Sequence, residues 1–257
     1  MSSGFYVDTD SFIHKLHPVT RIVLLLLTFI SALVIEHPLW LMLLAFIYAI
    51  VGARTGALPG LRRVMWLLLL IALASFLIWS FAYSGERVAI ALGPLRITYE
   101  GMLYGAGMGV RLDLMVFCGL IFLSTTPIEE FTYGLTRMGL PFPVSFAMSL
   151  SFRLVPLFAG TVRTILDAQR ARGLDTEAGG LTGRLKSYVP LLVPVFASAL
   201  RRTDQLAIAL ESKGFGLGKK RGSFREYDAG SRDALAILVM TVILALEIAA
   251  RYFGLVN

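Results

Sequence analysis

Long stretches with almost no charge constrain this chain more than any other feature. A helix needs about 20 apolar residues to cross the hydrocarbon of a bilayer. Such stretches lie at residues 19–35, 64–83, 101–124 and 233–254, with a shorter one at 39–51. Hydrophobic residues make up 56% of the 257 residues and charged residues 16%, against about 45–50% and about 25% in soluble domains. The pattern predicts an all-α, polytopic membrane protein with about five transmembrane helices.

Lysine and arginine are concentrated in one part of the sequence. Residues 126–232 contain 15 of the 24 Lys and Arg residues and nine Asp and Glu residues, which is about +6 of the net charge of +7. Basic segments of membrane proteins stay on the cytoplasmic side. We therefore expect a protein of the cell inner (plasma) membrane with a cytoplasmic N-terminus. No nucleic-acid reader motif accompanies the charge, so nucleic acid is not expected as a partner.

These two patterns together predict three segments. Residues 1–125 form an N-terminal membrane domain with four spans, residues 126–231 form a cytoplasmic region, and residues 232–257 form the final transmembrane span. Residues 142–160 are apolar except for Arg153 and are long enough for a sixth span. A sixth span would place the basic region on both sides of the membrane, so we interpret this stretch as buried or interfacial.

Two subsegments of the basic region end in the same way. In each, an apolar segment that contains proline leads into an amphipathic helix and then into a small residue, a basic residue and glycine: Ala171-Arg172-Gly173 in the first, Ser212-Lys213-Gly214 in the second. Glycine suits the left-handed residue that follows a helix, and a cation there meets the negative end of the helix dipole. The two basic residues are therefore either simple helix-end charges or heads presented to an acidic groove of a partner.

The two predicted amphipathic helices run from about residue 161 and from about residue 198. Apolar residues recur at helical spacing on one face of each. They are Val162, Ile165 and Leu166 in the first helix, and Leu192, Phe196, Ala199, Leu206 and Leu210 around the second.

Several charged residues lie within the apolar stretches and need a separate explanation; Glu247, near the outer end of the last stretch, is expected to reach water. Arg111 and Asp113 are two residues apart, so they point to different helix faces and cannot pair with each other. Charges within a membrane are usually functional, and we expect both residues to make intramembrane polar contacts inside the bundle or toward another subunit. For Arg111 the alternative is a place near the membrane surface. Arg21 is expected to snorkel from the end of the first stretch. The three histidines are too scattered for a metal site, and no cofactor is expected.

The residues around the two basic tripeptides resemble a known family. The matching stretches are Arg153-Leu-Val-Pro156, Ala168-Gln-Arg-Ala171-Arg172-Gly173, Pro190, Arg202-Thr-Asp204, Ala209-Leu-Glu211 and Lys213-Gly-Phe215, with His14-Lys-Leu-His-Pro-Val-Thr-Arg21, Thr125-Thr126-Pro127 and Gly139-Leu140-Pro141 elsewhere in the chain. In this order they resemble the transmembrane T component of energy-coupling factor (ECF) transporters. The resemblance extends over nearly the whole chain.

The resemblance implies a scaffold rather than an enzyme. Such a component links two cytoplasmic ATP-binding-cassette ATPase subunits to a small membrane substrate-binding (S) subunit, for uptake of a vitamin or a transition-metal ion. The ATPase-docking residues implied for this chain are Ala171, Arg172, Gly173, Ser212, Lys213 and Gly214. Lys213 departs from the arginine that is usual in the family, and lysine lacks the planar fork of arginine. The alternative is a stand-alone secondary transporter or another permease, which would favour inverted repeats in the membrane.

Overall fold

The computed structural model describes residues 11–35, 38–56, 58–83, 85, 87–92, 95–174, 180–215 and 227–253. A short 3-10 helix, Ile13–Lys15, precedes the first long helix. The elements that follow are α1 (Pro18–Val34), α2 (Pro38–Arg54), α3 (Leu58–Ala82), β1 (Val88–Leu92), β2 (Leu95–Thr98), α4 (Tyr99–Thr125), α5 (Ile128–Arg137), α6 (Phe142–Ala171), α7 (Leu181–Ser212) and α8 (Ser231–Tyr252).

The predicted all-α, polytopic membrane fold is confirmed. In the described part of the chain, four helices are long and apolar enough to cross a membrane, at Gly60–Ala82, Tyr99–Thr125, Phe142–Ala171 and Ser231–Tyr252, and two shorter apolar helices lie at Pro18–Val34 and Trp40–Arg54. One of the four contains residues 142–160. The interpretation of this stretch as buried or interfacial, and not as a sixth span, remains a prediction. The antiparallel strands β1 and β2 pair with each other just before α4.

The chain separates into two compact units. Unit 1 comprises Met1–Leu140 and Tyr227–Asn257, and unit 2 comprises Pro141–Glu226. Unit 1 therefore contains α1 to α5 and α8, and unit 2 contains α6 and α7. The predicted division at residues 125 and 231 concerns sides of the membrane, and it remains a prediction.

Close contact between α3 and α4 organises part of unit 1. Small residues along one face of a helix let a second helix approach closely, and α4 has glycine at positions 101, 105 and 109, each one turn from the next. A Cβ atom added at Gly105 would lie 2.9 Å from the carbonyl oxygen of Phe76, and one at Gly109 would lie 3.3 Å from Cα of Ala72. The backbones of the two helices therefore touch along this face.

Proline lies inside both helices of unit 2. Pro156 is internal to α6, and Pro190 and Pro194 are internal to α7. The expected starts near residues 161 and 198 are therefore wrong, because each helix begins well before its prolines. Proline removes one backbone hydrogen bond and favours a kink. Here each helix continues on both sides of its prolines, so the segment that contains proline and the amphipathic segment belong to one helix.

Candidate functional site

The end of α6 has a defined hydrogen-bond geometry. Ala171 is the last helical residue, Arg172 is the C-cap, and Gly173 has a positive φ of 89°. The amide of Gly173 donates to the carbonyl of Arg170 at 2.9 Å, and that of Leu174 donates to the carbonyl of Gln169 at 3.0 Å. These two bonds define a Schellman motif. A Cβ atom at Gly173 would meet nothing within 4 Å, so glycine is needed there for its φ and not for space.

The end of α7 repeats this geometry. Ser212 is the last helical residue, Lys213 is the C-cap, and Gly214 has a φ of 74°. The amide of Gly214 donates to Glu211 at 2.8 Å, and that of Phe215 donates to Leu210 at 2.9 Å. The two tripeptides that look alike in the sequence therefore have the same backbone structure.

Helix α5 ends in a third Schellman motif and serves as an internal comparison. Gly139 has a φ of 108° and donates to Thr136 at 3.1 Å, and Leu140 donates to Leu135 at 3.0 Å. Its C-cap, however, is Met138. The motif alone is a general way to end a helix, and what distinguishes α6 and α7 is the basic residue at the C-cap.

Both basic C-cap side chains are open to a partner. Arg172 and Lys213 are exposed, and within the described part of the chain neither makes a side-chain hydrogen bond or an ion pair. A cation at the C-terminus of a helix lies near unpaired carbonyl groups, which adds a modest favourable interaction of about 0.3–1 kcal/mol. That interaction does not occupy the donors of the side chain, so they remain available to acceptors on another molecule.

The two ends lie far apart within unit 2. Phe215, just after the end of α7, contacts Phe142 and Phe146 at the start of α6, with ring centroids 6.3 and 4.5 Å apart. Helix α6 has 30 residues and therefore extends about 45 Å at 1.5 Å per residue. Arg172 and Lys213 are thus at opposite ends of α6, too far apart to bind in one groove.

The apolar face predicted for α7 is only partly covered. Leu206 and Leu210 are half-buried, but Leu192 and Phe196 are 52% and 63% exposed. Other large apolar side chains on this helix are also exposed, namely Val193, Leu200 and Ile208. Among the described residues of α7, Leu191 has a buried apolar side chain. Unit 2 therefore presents an extended apolar surface along α7.

Arg21 occupies a position that sequence reasoning missed. The prediction that it snorkels is wrong, because the residue is only 5% exposed. Its guanidinium donates to the carbonyls of Leu16 at 3.1 Å, His14 at 2.5 Å and Thr125 at 2.7 Å, and pairs with the Glu130 carboxylate at 2.7 Å. These bonds connect the start of α1 to the end of α4 and the start of α5, so the charge is satisfied inside unit 1.

Asp233 makes a second polar connection in unit 1. Its Oδ1 accepts a hydrogen bond from the backbone amide of His17 at 2.7 Å, and its Oδ2 accepts one from Gly230 at 2.9 Å. The carboxylate therefore caps α8 and holds the residue before α1. Glu247, expected near water, instead contacts the buried hydroxyl of Ser31.

Arg111 and Asp113 face different surroundings within the membrane helices. The guanidinium of Arg111 donates to the carbonyl of Ile35 and contacts the sulfur of Met108. Asp113 lies one turn beyond Gly109 on α4, and its buried Oδ1 has no hydrogen-bond partner among the described residues. Arg111 thus connects α4 to the end of α1, whereas Asp113 makes no such connection.

The fold and the two ends define a class of protein: a polytopic helical membrane protein that presents two basic helix ends. Residues 9–224 match the sequence profile of the CbiQ family, described as cobalt transport protein, and the chain belongs to this family. Among its relatives is the energy-coupling factor transporter transmembrane protein EcfT of Listeria innocua, with 34% identity over 88% of each chain. The EcfT protein of Heliobacterium modesticaldum is 35% identical over 90% of each chain. That of Lactococcus lactis is 31% identical over 96% of this chain and 97% of the relative.

Proposed function

We propose that this protein is the transmembrane scaffold subunit of an ECF-type importer and transmits ATP-driven movement between partner subunits. Two cytoplasmic ABC ATPase subunits bind the ends of α6 and α7, through Arg172 and Lys213 respectively. A small membrane S subunit binds the substrate, a vitamin or a transition-metal ion. The chain itself hydrolyses nothing, and its N-terminus lies in the cytoplasm.

The observation that supports this proposal is the matched pair of helix ends. Arg172 and Lys213 follow helices with the same Schellman hydrogen bonds, and both side chains are exposed. Because they lie about 45 Å apart along α6, each end binds a different ATPase subunit. Exposed cations suit the acidic grooves of a partner. Because a helix end moves as a unit with the rest of its helix, such a contact can also transmit movement.

The exposed apolar surface of α7 supports the assignment of a membrane partner. Side chains such as Phe196 and Leu200, 63% and 64% exposed, are unfavourable in water but suit the apolar surface of another membrane subunit or lipid. Closure of the ATPase pair moves both helix ends, and the rods carry that movement to the subunit on this surface. This is coupling by rigid-body motion.

The test is capture of the ATPase subunits by the tagged, full-length chain from membranes that contain the whole complex. The variant replaces both Arg172 and Lys213 by Glu. Its matched control replaces Arg163 and Arg201 by Glu, because both arginines are exposed on the same helices but away from their C-terminal ends. We expect the ATPases to be lost from the first variant and retained by the control.

Folding of the variants is checked by their thermal unfolding in detergent. A glutamate at each helix C-terminus costs only about 0.3–1 kcal/mol through the dipole, so both variants are expected to fold. Retention of the ATPases at the native level by the Arg172→Glu, Lys213→Glu double variant would contradict the proposal. Equal losses from variant and control would also contradict it, since docking would then not depend on the helix ends.

A further inference from the structure

Three phenylalanine rings form a cluster where the end of α7 meets the start of α6. Phe142 and Phe146 lie one turn apart on α6 with ring centroids 5.9 Å apart, and Phe215 contacts both, at 6.3 and 4.5 Å. Aromatic pairs attract one another at centroid distances of about 4.5–7 Å. We call Phe142, Phe146 and Phe215 the aromatic clasp.

The Schellman motif of α7 places Phe215 in this clasp. The positive φ of Gly214 turns the chain away from the helix axis. The hydrogen bond from the Phe215 amide to the Leu210 carbonyl then holds Phe215 against the last turn of α7. Phe215 is only two residues beyond Lys213, so the position of its ring constrains the position of that cation. A short, hydrogen-bonded connection of this kind has little freedom to move independently.

The end of α6 differs at the corresponding position. Leu174 follows Gly173 as Phe215 follows Gly214, with the same backbone bonds, but leucine has no ring for stacking. The two docking ends therefore have the same backbone geometry and different side-chain support.

We propose that Phe215 is the positioning residue of the second docking end: through Phe142 and Phe146 it fixes Lys213 to the first turns of α6. The inference rests on the proposed function, because it concerns an end that binds an ATPase. Phe215 acts through Lys213 and does not itself provide the charged contact. The first docking end, at Arg172, does not depend on it.

The clasp has a mechanical consequence for force applied at Lys213. The first turn of α6 follows directly after Leu140 and Pro141, which is where the chain passes from unit 1 to unit 2. Force on Lys213 therefore reaches α6 near this passage. Force on Arg172 enters α6 at its other end, 30 residues away. The two ATPases thus act on different ends of one rod.

The experiment isolates each docking end in the full-length chain. In an Arg172→Glu background the remaining end is that of Lys213, and in a Lys213→Glu background it is that of Arg172. The affinity of the purified ATPase subunits is measured for both backgrounds in nanodiscs, with and without Phe215→Ala. In the first background we expect Phe215→Ala to weaken ATPase binding about two- to tenfold, which corresponds to the loss of an aromatic pair. In the second background we expect the affinity to stay unchanged.

Additional variants separate positioning from general damage. Phe215→Tyr keeps the ring and is expected to restore the affinity in the Arg172→Glu background. Leu174→Ala, the matched change at the other docking end, is expected to leave the ATPase affinity in the Arg172→Glu background unchanged. Phe146→Ala should also weaken binding, and the double variant should be no weaker than Phe215→Ala alone, because Phe215→Ala already removes the contact between these two rings.

A structural readout covers the case in which alanine variants unfold. Spin labels at Ser151→Cys and Ser212→Cys, both exposed, report the distance between α6 and the end of α7 in a Cys118→Ser background. We expect a narrow distance distribution for Phe215 and Phe215→Tyr and a broader one for Phe215→Leu, which keeps an apolar side chain but loses the ring.

The outcomes distinguish this inference from the proposed function. If Phe215→Ala weakens ATPase binding equally in both backgrounds, or in neither, the clasp does not position Lys213. The same conclusion follows if Phe215→Leu leaves the distance distribution narrow. If both single-Glu backgrounds bind the ATPases as tightly as the native chain, the docking ends themselves are wrong and the proposed function fails.

Discussion

The two units of the chain differ in where the basic residues singled out above are placed. In unit 1, the buried cation Arg21 is 5% exposed and pairs with Glu130. In unit 2, Arg172 and Lys213 are exposed, and the apolar Phe196 is 63% exposed. The cation Arg21 thus has its partners inside unit 1, whereas the cations at the ends of α6 and α7 face outward.

This contrast indicates where each kind of substitution takes effect. A residue whose partners lie in its own unit contributes to the free energy of unfolding, whereas a residue that faces outward contributes to binding. Changes in unit 1 are therefore expected to lower the stability of the chain. Changes on the outward surfaces of unit 2 are expected to leave stability nearly unchanged and to alter the affinity for partners.

The largest effect is expected for Arg21→Met. The change removes the buried cation and leaves the Glu130 carboxylate and the carbonyls of His14 and Thr125 without their donor. Breaking a buried pair costs about 3–5 kcal/mol, so we expect a large drop in the midpoint of thermal unfolding in detergent. Arg163→Met, at an exposed position of α6, is the control and should change the midpoint little. Equal midpoints for the two variants would break the contrast between the units.

Arg21 also marks the limit of what the sequence could predict. Its partners Thr125 and Glu130 are 104 and 109 residues away, and no local pattern reports such a contact. The helix ends at Arg172 and Lys213 were predictable because a Schellman motif depends only on residues within one turn of the glycine. The transmembrane helices were predictable for a similar reason, since hydropathy is a property of continuous sequence.

Proline shows a second limit. The sequence pattern places Pro156, Pro190 and Pro194 in apolar segments that lead into the predicted amphipathic helices. The structure instead has them inside α6 and α7. Proline removes one backbone hydrogen bond and can kink a helix without ending it, so its position does not mark where a helix begins.

An intermediate effect is expected from adding one methyl group to a glycine in each unit. In Gly105→Ala the new Cβ would lie 2.9 Å from the carbonyl oxygen and 3.2 Å from Cα of Phe76, so α3 and α4 must separate. Overpacking of this kind costs about 1–3 kcal/mol. Gly160→Ala in α6 meets nothing within 4 Å and should stabilise the helix by up to about 1 kcal/mol. The midpoint of thermal unfolding is the measurement for both.

A further variant separates the contact from its helix. Gly119→Ala lies on α4 with Gly105, but its Cβ atom would also meet nothing within 4 Å. It is expected to behave like Gly160→Ala and not like Gly105→Ala. If Gly119→Ala destabilises the chain as much as Gly105→Ala, the cause lies in α4 as a whole and not in its approach to α3.

The smallest effect is expected for Lys213→Arg, which keeps the charge of an outward residue in unit 2. Lysine acts as a point charge, whereas arginine can donate two parallel hydrogen bonds to a carboxylate. The native Lys213 contact should therefore depend more on charge, and its affinity should fall more steeply with salt. In an Arg172→Glu background, we expect Lys213→Arg to make the ATPase affinity less sensitive to salt without changing thermal unfolding. The reverse change, Arg172→Lys in a Lys213→Glu background, should increase the sensitivity; identical salt dependence for lysine and arginine at both ends would mean that the fork of arginine is not used in docking.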